Sequence, residues 1–160
     1  MKERGVSSIV AIAIVAIIAV VAVGIGVYLA TRSGEGGGGT APQEYSFNIV
    51  NGLITVSAGN YQAYPFTIPS GAMNANIVGN FTASGGSGND IIVLIMDATA
   101  FVNWKNGHQV SVYYDSGQLT TSNFDVSLPA GGSYYLVFSN TFSIISTKNV
   151  QTRADLSYTM

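Results

Sequence analysis

The 160 residues contain no cysteine and a single histidine, His108. The first absence removes disulfide scaffolds, thiolate metal sites and thiol nucleophiles. The second removes any multi-histidine metal centre. Charge is scarce as well: Asp, Glu, Lys and Arg make up 9% of the chain, against ~25% in ordinary globular proteins. Eight acidic and six basic residues leave a net charge of -2. No basic face is available to neutralise phosphates, which excludes nucleic-acid binding. A highly charged disordered tail is equally foreign to this composition. Proline is rare, at four residues, while glycine takes 19 positions.

The few charges are unevenly placed. Lys2, Glu3 and Arg4 come first, and the next charge is Arg32. Between them, Val6 to Ala30 is almost purely apolar. As a helix this run is about 37 Å long at ~1.5 Å per residue, enough to cross a ~30 Å hydrocarbon core with some tilt. Lys2 and Arg4 place the amino terminus inside the cell and the remainder outside. A cleaved secretory signal is the rival reading, but its apolar region runs only ~7–15 residues and ends at a small-residue site, which Tyr28-Leu29-Ala30 does not provide. Residues 1–5 thus read as a basic cytoplasmic leader and 6–31 as a transmembrane or filament-core helix. Membrane lipid is its expected surrounding, and small residues from Ala11 to Gly26 allow close packing with a protein partner or with its own copies.

Residues 32–44 read as a linker. Ser33 to Gln43 is Gly-rich with nothing to bury, and spans roughly 18 Å root-mean-square as a flexible tether. The Gly34-x-Gly36-x-x-Gly39 spacing in it lacks the preceding strand and following helix of a dinucleotide site.

From residue 45 to 160 the apolar pattern has period two. Tyr45–Val50 and Leu53–Ala58 flank Asn51-Gly52, a hairpin signal. Tyr61–Ile68 follows, with Pro65 assigning it to an edge or bulge. Ala75–Ala83, Ile91–Met96, a strand alternating through Val110, Val112 and Tyr114, another through Phe124, Val126 and Leu128, then Tyr134–Phe138 and Val150–Tyr158 complete the series. Asn103–Gly107 reads as a larger loop. Eight or nine short strands without a long amphipathic helix predict an all-β antiparallel sandwich or jelly roll behind one amino-terminal transmembrane helix.

No chemistry-bearing constellation emerges. A Ser-His-Asp triad could use only His108, which follows the turn pair Asn106-Gly107, and Ser87 and Ser133 sit in Gly-rich turns rather than on a nucleophile elbow. Asp90 and Asp97 bracket one strand, about 23 Å apart at ~3.3 Å per residue, too far for a glycosidase pair. Asp90, Asp97, Asp115 and Asp125 lack the 12-residue loop pattern of a Ca²⁺ site. No catalysis, metal or cofactor is expected. Tyr61, Trp104, Tyr113 and Tyr135 depart from core parity and are candidates for an aromatic contact patch. Asn80-Phe81-Thr82 is the one N-glycosylation sequon, open to modification in an exported domain.

The segment Gly132-Ser133-Tyr134-Tyr135-Leu136-Val137-Phe138-Ser139-Asn140-Thr141-Phe142-Ser143, followed by Lys148-Asn149-Val150, resembles the terminal signature of the GOLD (Golgi dynamics) domain family. That pattern reads G-x-Y-x-L-x-F-x-N-[ST]-[YF]-S, with Lys-x-Val five residues later. Tyr134, Leu136 and Phe138 would load the core face of a strand after Gly132. Asn140 and Ser143 would bond turn backbone, and Lys148 would open the returning strand. Asn89-Asp90-Ile91 also resembles the family, and the likeness runs from about Gly79 to Tyr158. It implies a non-catalytic sandwich that binds proteins beside membrane segments. Cargo receptors of that family carry a carboxy-terminal anchor and commonly a cysteine pair, so their role does not transfer. Separately, Lys2-Glu3-Arg4-Gly5-Val6-Ser7-Ser8-Ile9-Val10 resembles an archaeal class III signal of type IV pilin-like proteins. This implies cleavage between Gly5 and Val6, with Val10 where many pilins place Glu. The expected function is a cell-surface interaction or adhesion module, with a pilin-like filament subunit as the alternative.

Overall fold

A computed structural model describes residues 41–160. The expected leader, the Gly5–Val6 junction, the expected helix over Val6–Ala30 and most of the expected tether lie outside the described residues. Among the described residues no helix is long and apolar enough to cross a membrane.

Eight strands and one helix follow in order. They are β1 (Glu44–Val56), β2 (Tyr61–Ile68), β3 (Met73–Ser84), β4 (Ile91–Asp97), α1 (Ala98–Lys105), β5 (Tyr114–Leu119), β6 (Thr121–Ser127), β7 (Gly132–Ser139) and β8 (Lys148–Thr159). They form two four-stranded antiparallel sheets, ordered β1-β8-β3-β6 and β2-β7-β4-β5. The alternation of the sequence is the cause. In β3, Ala75, Ile77, Phe81 and Ala83 point inward, and in β8 Val150, Ala154, Leu156 and Tyr158 do. They meet Tyr64, Ile68, Val93, Ile95, Tyr134, Leu136 and Phe138 of the facing sheet in one core. Gly79 lies at an inward position of β3, and a Cβ there would come 2.3 Å from Phe124 Cζ. Glycine is what lets the Phe124 ring lie against the backbone.

Three expectations need correction. The Asn51-Gly52 hairpin does not form. β1 runs straight through it and pairs with β8 from Glu44–Thr159 to Val56–Lys148, with a register shift between Asn48 and Val50. The long ladder satisfies more backbone groups than a local turn would, and Gly52 takes a φ of +138° inside the strand. The alternating stretch at Val110 and Val112 is not a strand. Both residues lie half-buried against the outer face of the second sheet, and the strand begins only at Tyr114. The expected loop Asn103–Gly107 begins as helix: α1 runs from Ala98, capped by Asp97 Oδ1, which accepts from Ala100 N at 2.8 Å, through Lys105, and the turn starts only at Asn106. At the first described residues, Gln43 and Met160 exchange backbone hydrogen bonds of 2.8 and 2.9 Å. Pro65 does stand on an edge strand, since β2 pairs only with β7.

The sandwich therefore has two distinct ends. Gln43 and Met160 mark one. The other gathers the end of β1, the β3–β4 loop, the β5–β6 turn and the β7–β8 loop. The 13 residues of β1 join the two ends, a path of roughly 40 Å at ~3.3 Å per residue.

Candidate functional site

The far end from Gln43 is built around the β7–β8 loop. Tyr134, Leu136 and Phe138 fix β7 in the core, and Tyr134 Oη donates to the Pro129 carbonyl at 2.7 Å. The chain then turns at Asn140, which has no exposed surface. Its Nδ2 donates to the carbonyls of Val56 at 3.1 Å and Ser146 at 2.8 Å. Its backbone accepts from Gly59 at 3.1 Å and donates to Asn60 at 2.8 Å. Within the loop, Ser143 Oγ donates to the Ser146 carbonyl at 3.0 Å and accepts from Ser146 N at 3.1 Å. Lys148 closes the loop from below, with its Nζ 2.9 Å from Asp90 Oδ1 and 5.9 Å from the centroid of the Phe142 ring. Gly132 opens β7 at the opposite end.

What this framework presents is apolar. Ile144 and Ile145 are 91% and 89% exposed, and Leu119 at the same end is 42% exposed. Covering an isoleucine on docking contributes about 1.5–3 kcal/mol. The loop is fastened to β1, to β4 and across itself, so little ordering entropy opposes that gain. Asp90 and Lys148 are the only charged residues among those described at this end. The hydrogen bond from Lys148 holds the Asp90 carboxyl below its ordinary range, outweighing a small opposing effect of burial. The surface of this loop is thus uncharged, because the two charges pair with each other beneath it.

The predicted aromatic patch is only partly assembled. Tyr61, Trp104 and Tyr135 come together on the outer face of the β2-β7-β4-β5 sheet, around Phe101 of α1. Phe101 stacks on Tyr135 at 4.0 Å between centroids, and Tyr61 meets the edges of Phe101 and Trp104 at 5.9 and 5.1 Å. Leu94, Met96, Ala100 and Val137 lie beneath, forming a second apolar cluster. Most of this ring surface is occupied by other rings. Tyr113 stands apart, its ring 5.6 Å from Tyr134, and remains 42% exposed.

Asn80 is exposed on β3, which has strands paired on both sides, and Thr82 follows on the same face. His108 is exposed in the turn after α1 and donates its backbone N–H to Asn103. The four aspartates do not converge. Asp90 pairs with Lys148, Asp97 caps α1, Asp115 Oδ1 accepts from Gly117 N and Asp125 Oδ1 from Asn76. No group of three His, Cys, Asp or Glu able to hold a metal occurs among the described residues.

Sequence patterning alone does not single out the Ile144-Ile145 pair. A signal is nonetheless present in Ser143-Ile144-Ile145-Ser146: two adjacent apolar side chains point to opposite sides of any extended chain, so the pair fits no one-sided strand.

No protein-family model matches the chain, and no curated protein matches it. The solved structures it resembles include that of Aeromonas hydrophila PliG, a periplasmic lysozyme inhibitor of g-type lysozyme. The two are 12% identical with a TM-score of 0.30, over 79% of this chain and 92% of that one. A likeness of that depth carries no functional argument.

Proposed function

We propose that the protein is a single-pass, membrane-anchored, non-catalytic binding module that holds a GOLD-like β-sandwich outside the cell membrane. The β7–β8 loop carries this reading: two bare isoleucines on a fastened loop, at the end of the sandwich farthest from Gln43, where the chain arrives from its amino-terminal part. The apolar run Val6–Ala30, the basic Lys2 and Arg4, and the glycines of the tether support anchorage in a bilayer with the domain outside. Lipid surrounds the helix, a protein partner covers the loop, and no cofactor or nucleic acid takes part. Adhesion, or accessory service in an envelope assembly, is the work such a module does.

The leader sequence favours a second reading. Cleavage between Gly5 and Val6 would free the helix to pack with its copies in a type IV pilin-like filament, with the sandwich as its coat. Intact mass separates the two. An anchored module is recovered from washed membranes with residues 2–5 retained. A filament subunit is recovered from sheared surface filaments with a mass beginning at Val6, and that result overturns the first reading.

A further inference from the structure

The outer face of the β1-β8-β3-β6 sheet carries polar side chains in rows across the strands. Register places Asp125, Val78 and Asp155 in one row, and Asn123, Asn80 and Arg153 in the next. These six side chains line a shallow depression of about 440 Å³ that reaches the sheet at Gly79 and Phe124. Val78, 47% exposed, is its apolar floor.

Both carboxylates are held in place by neighbouring side chains. Asn76 Nδ2 donates to Asp125 Oδ1 at 2.7 Å, Asn48 Nδ2 to Asp155 Oδ1 at 2.8 Å, and Arg153 Nε to Asp155 Oδ2 at 2.6 Å. Partial burial pushes the Asp155 carboxyl up, but the bonds from Arg153 and Asn48 more than offset this and keep it charged. Asp125 Oδ2, the terminal nitrogens of Arg153 and the carboxamides of Asn80 and Asn123 make no hydrogen bonds to described residues. Free donors and free acceptors thus stand side by side around an apolar floor.

We propose that this depression binds a pyranose ring of a glycan. Adjacent strands lie ~4.8 Å apart, so Asp125 and Asp155 stand about 10 Å from each other with Val78 midway. A hexose ring over Val78 fits that gap with a hydrogen bond of about 2.7 Å at either edge. A hydroxyl both donates and accepts, so a pair of neighbouring hydroxyls suits an acceptor beside a donor. β6 offers that combination as Asp125 Oδ2 and Asn123, and β8 adds the terminal nitrogens of Arg153 as donors. The Val78 methyls meet the C–H face of the ring. An anionic ligand is disfavoured by the two carboxylates, and a simple cation by the Arg153 guanidinium on β8. An open site for one ring binds weakly, with a Kd of about 1 mM, and gains through many copies engaging one polysaccharide.

The test uses the full chain in phosphatidylcholine nanodiscs, produced in a host that leaves Asn80 unmodified. Methyl mannopyranoside, methyl glucopyranoside and N-acetylglucosamine are titrated while the Val78 methyl signals and the Asn80 and Asn123 side-chain amides are followed by NMR. At least one sugar is expected to move these signals, saturating at millimolar concentration. Asn123→Ala and Asp125→Ala each weaken that binding about fivefold, the value of one hydrogen bond. Val78→Arg abolishes it, and Asn123→Ala keeps the native melting temperature. The proposal is overturned if none of the sugars moves these signals by ~20 mM, or if the shifts fall on Tyr61 and Trp104 instead. Undiminished binding by Asn123→Ala and Asp125→Ala overturns it equally.

Discussion

Lys148 Nζ lies 2.9 Å from Asp90 Oδ1, with the lysine side chain 3% exposed and the aspartate 22%. The pair joins the first residue of β8 to the residue before β4, directly under the loop that carries Ile144 and Ile145. Replacing the carboxylate by a neutral amide leaves the buried ammonium without a counter-charge. Asp90→Asn is therefore expected to cost about 2–3 kcal/mol in chemical denaturation at neutral pH.

The same pair sets a pH dependence. The folded protein holds Asp90 below its ordinary value of 3.8, so the unfolded chain binds the proton first as pH falls. The stabilisation is fully present above 3.8 and is lost as pH drops through the lower folded value. Melting curves of the native protein and Asp90→Asn should run parallel above that range and converge below it. Curves that stay parallel throughout would show that the pair is not the source.

Gly79→Ala tests the packing of the first sheet. The new methyl would lie 2.3 Å from Phe124 Cζ and 2.6 Å from the Arg153 carbonyl oxygen. A loss of about 2–4 kcal/mol is expected. Adding Phe124→Leu should recover part of it, because a shorter side chain relieves one of the two contacts while the backbone contact remains.

Asn140→Ala removes both bonds that tie the loop to β1 and to Ser146. A cost of about 2–3 kcal/mol is expected, since the Val56 carbonyl is left buried and unpaired. Hydrogen exchange should accelerate at Thr141–Thr147 and remain native in β3. Uniform acceleration throughout the sandwich would instead point to a global role.

Phe101→Ala probes the aromatic layer. The ring is 8% exposed and stacked on Tyr135, so its removal should cost about 3 kcal/mol. Trp104 is the only tryptophan in the chain and lies 6.2 Å from that ring. Its fluorescence should shift to the red as α1 loosens, while the far-ultraviolet signal of the sheets persists.

How much of this is readable in the sequence depends on what each segment's environment asks of it. Alternation places β2 at its observed limits, and β3, β6 and β8 nearly so, because each has one buried and one wet face. β4 is different. Ile91 to Met96 is unbroken apolar chain, the mark of a strand covered on both faces, and α1 with Val110 and Val112 supplies the second cover. The helix itself has eight residues and only a faint apolar stripe, so periodicity misses it, although Asp97 is legible as a cap. Asn51-Gly52 misleads because turn chemistry is local, whereas β1 is decided by a partner strand about a hundred residues away. Asn140 and Ser143 are legible as turn formers, and in the structure they bond the backbone of Val56 and Ser146, while Lys148 opens β8 and bonds Asp90. What they hold up is not legible, because exposure of Ile144 and Ile145 is decided by neighbours distant in sequence.

The contact role of the β7–β8 loop can be tested before its partner is identified. The double variant Ile144→Ser/Ile145→Ser should fold with native stability, within about 0.5 kcal/mol, since both side chains are in water. The most direct measurement is photo-crosslinking in intact cells, with a photoreactive side chain placed at position 145 and, separately, at position 157 on the outer sheet face. A discrete protein adduct from position 145 alone is predicted, weakened when Ile144 is changed to Ser. An absence of adducts from position 145, or the same adducts from both positions, would contradict a partner-binding loop.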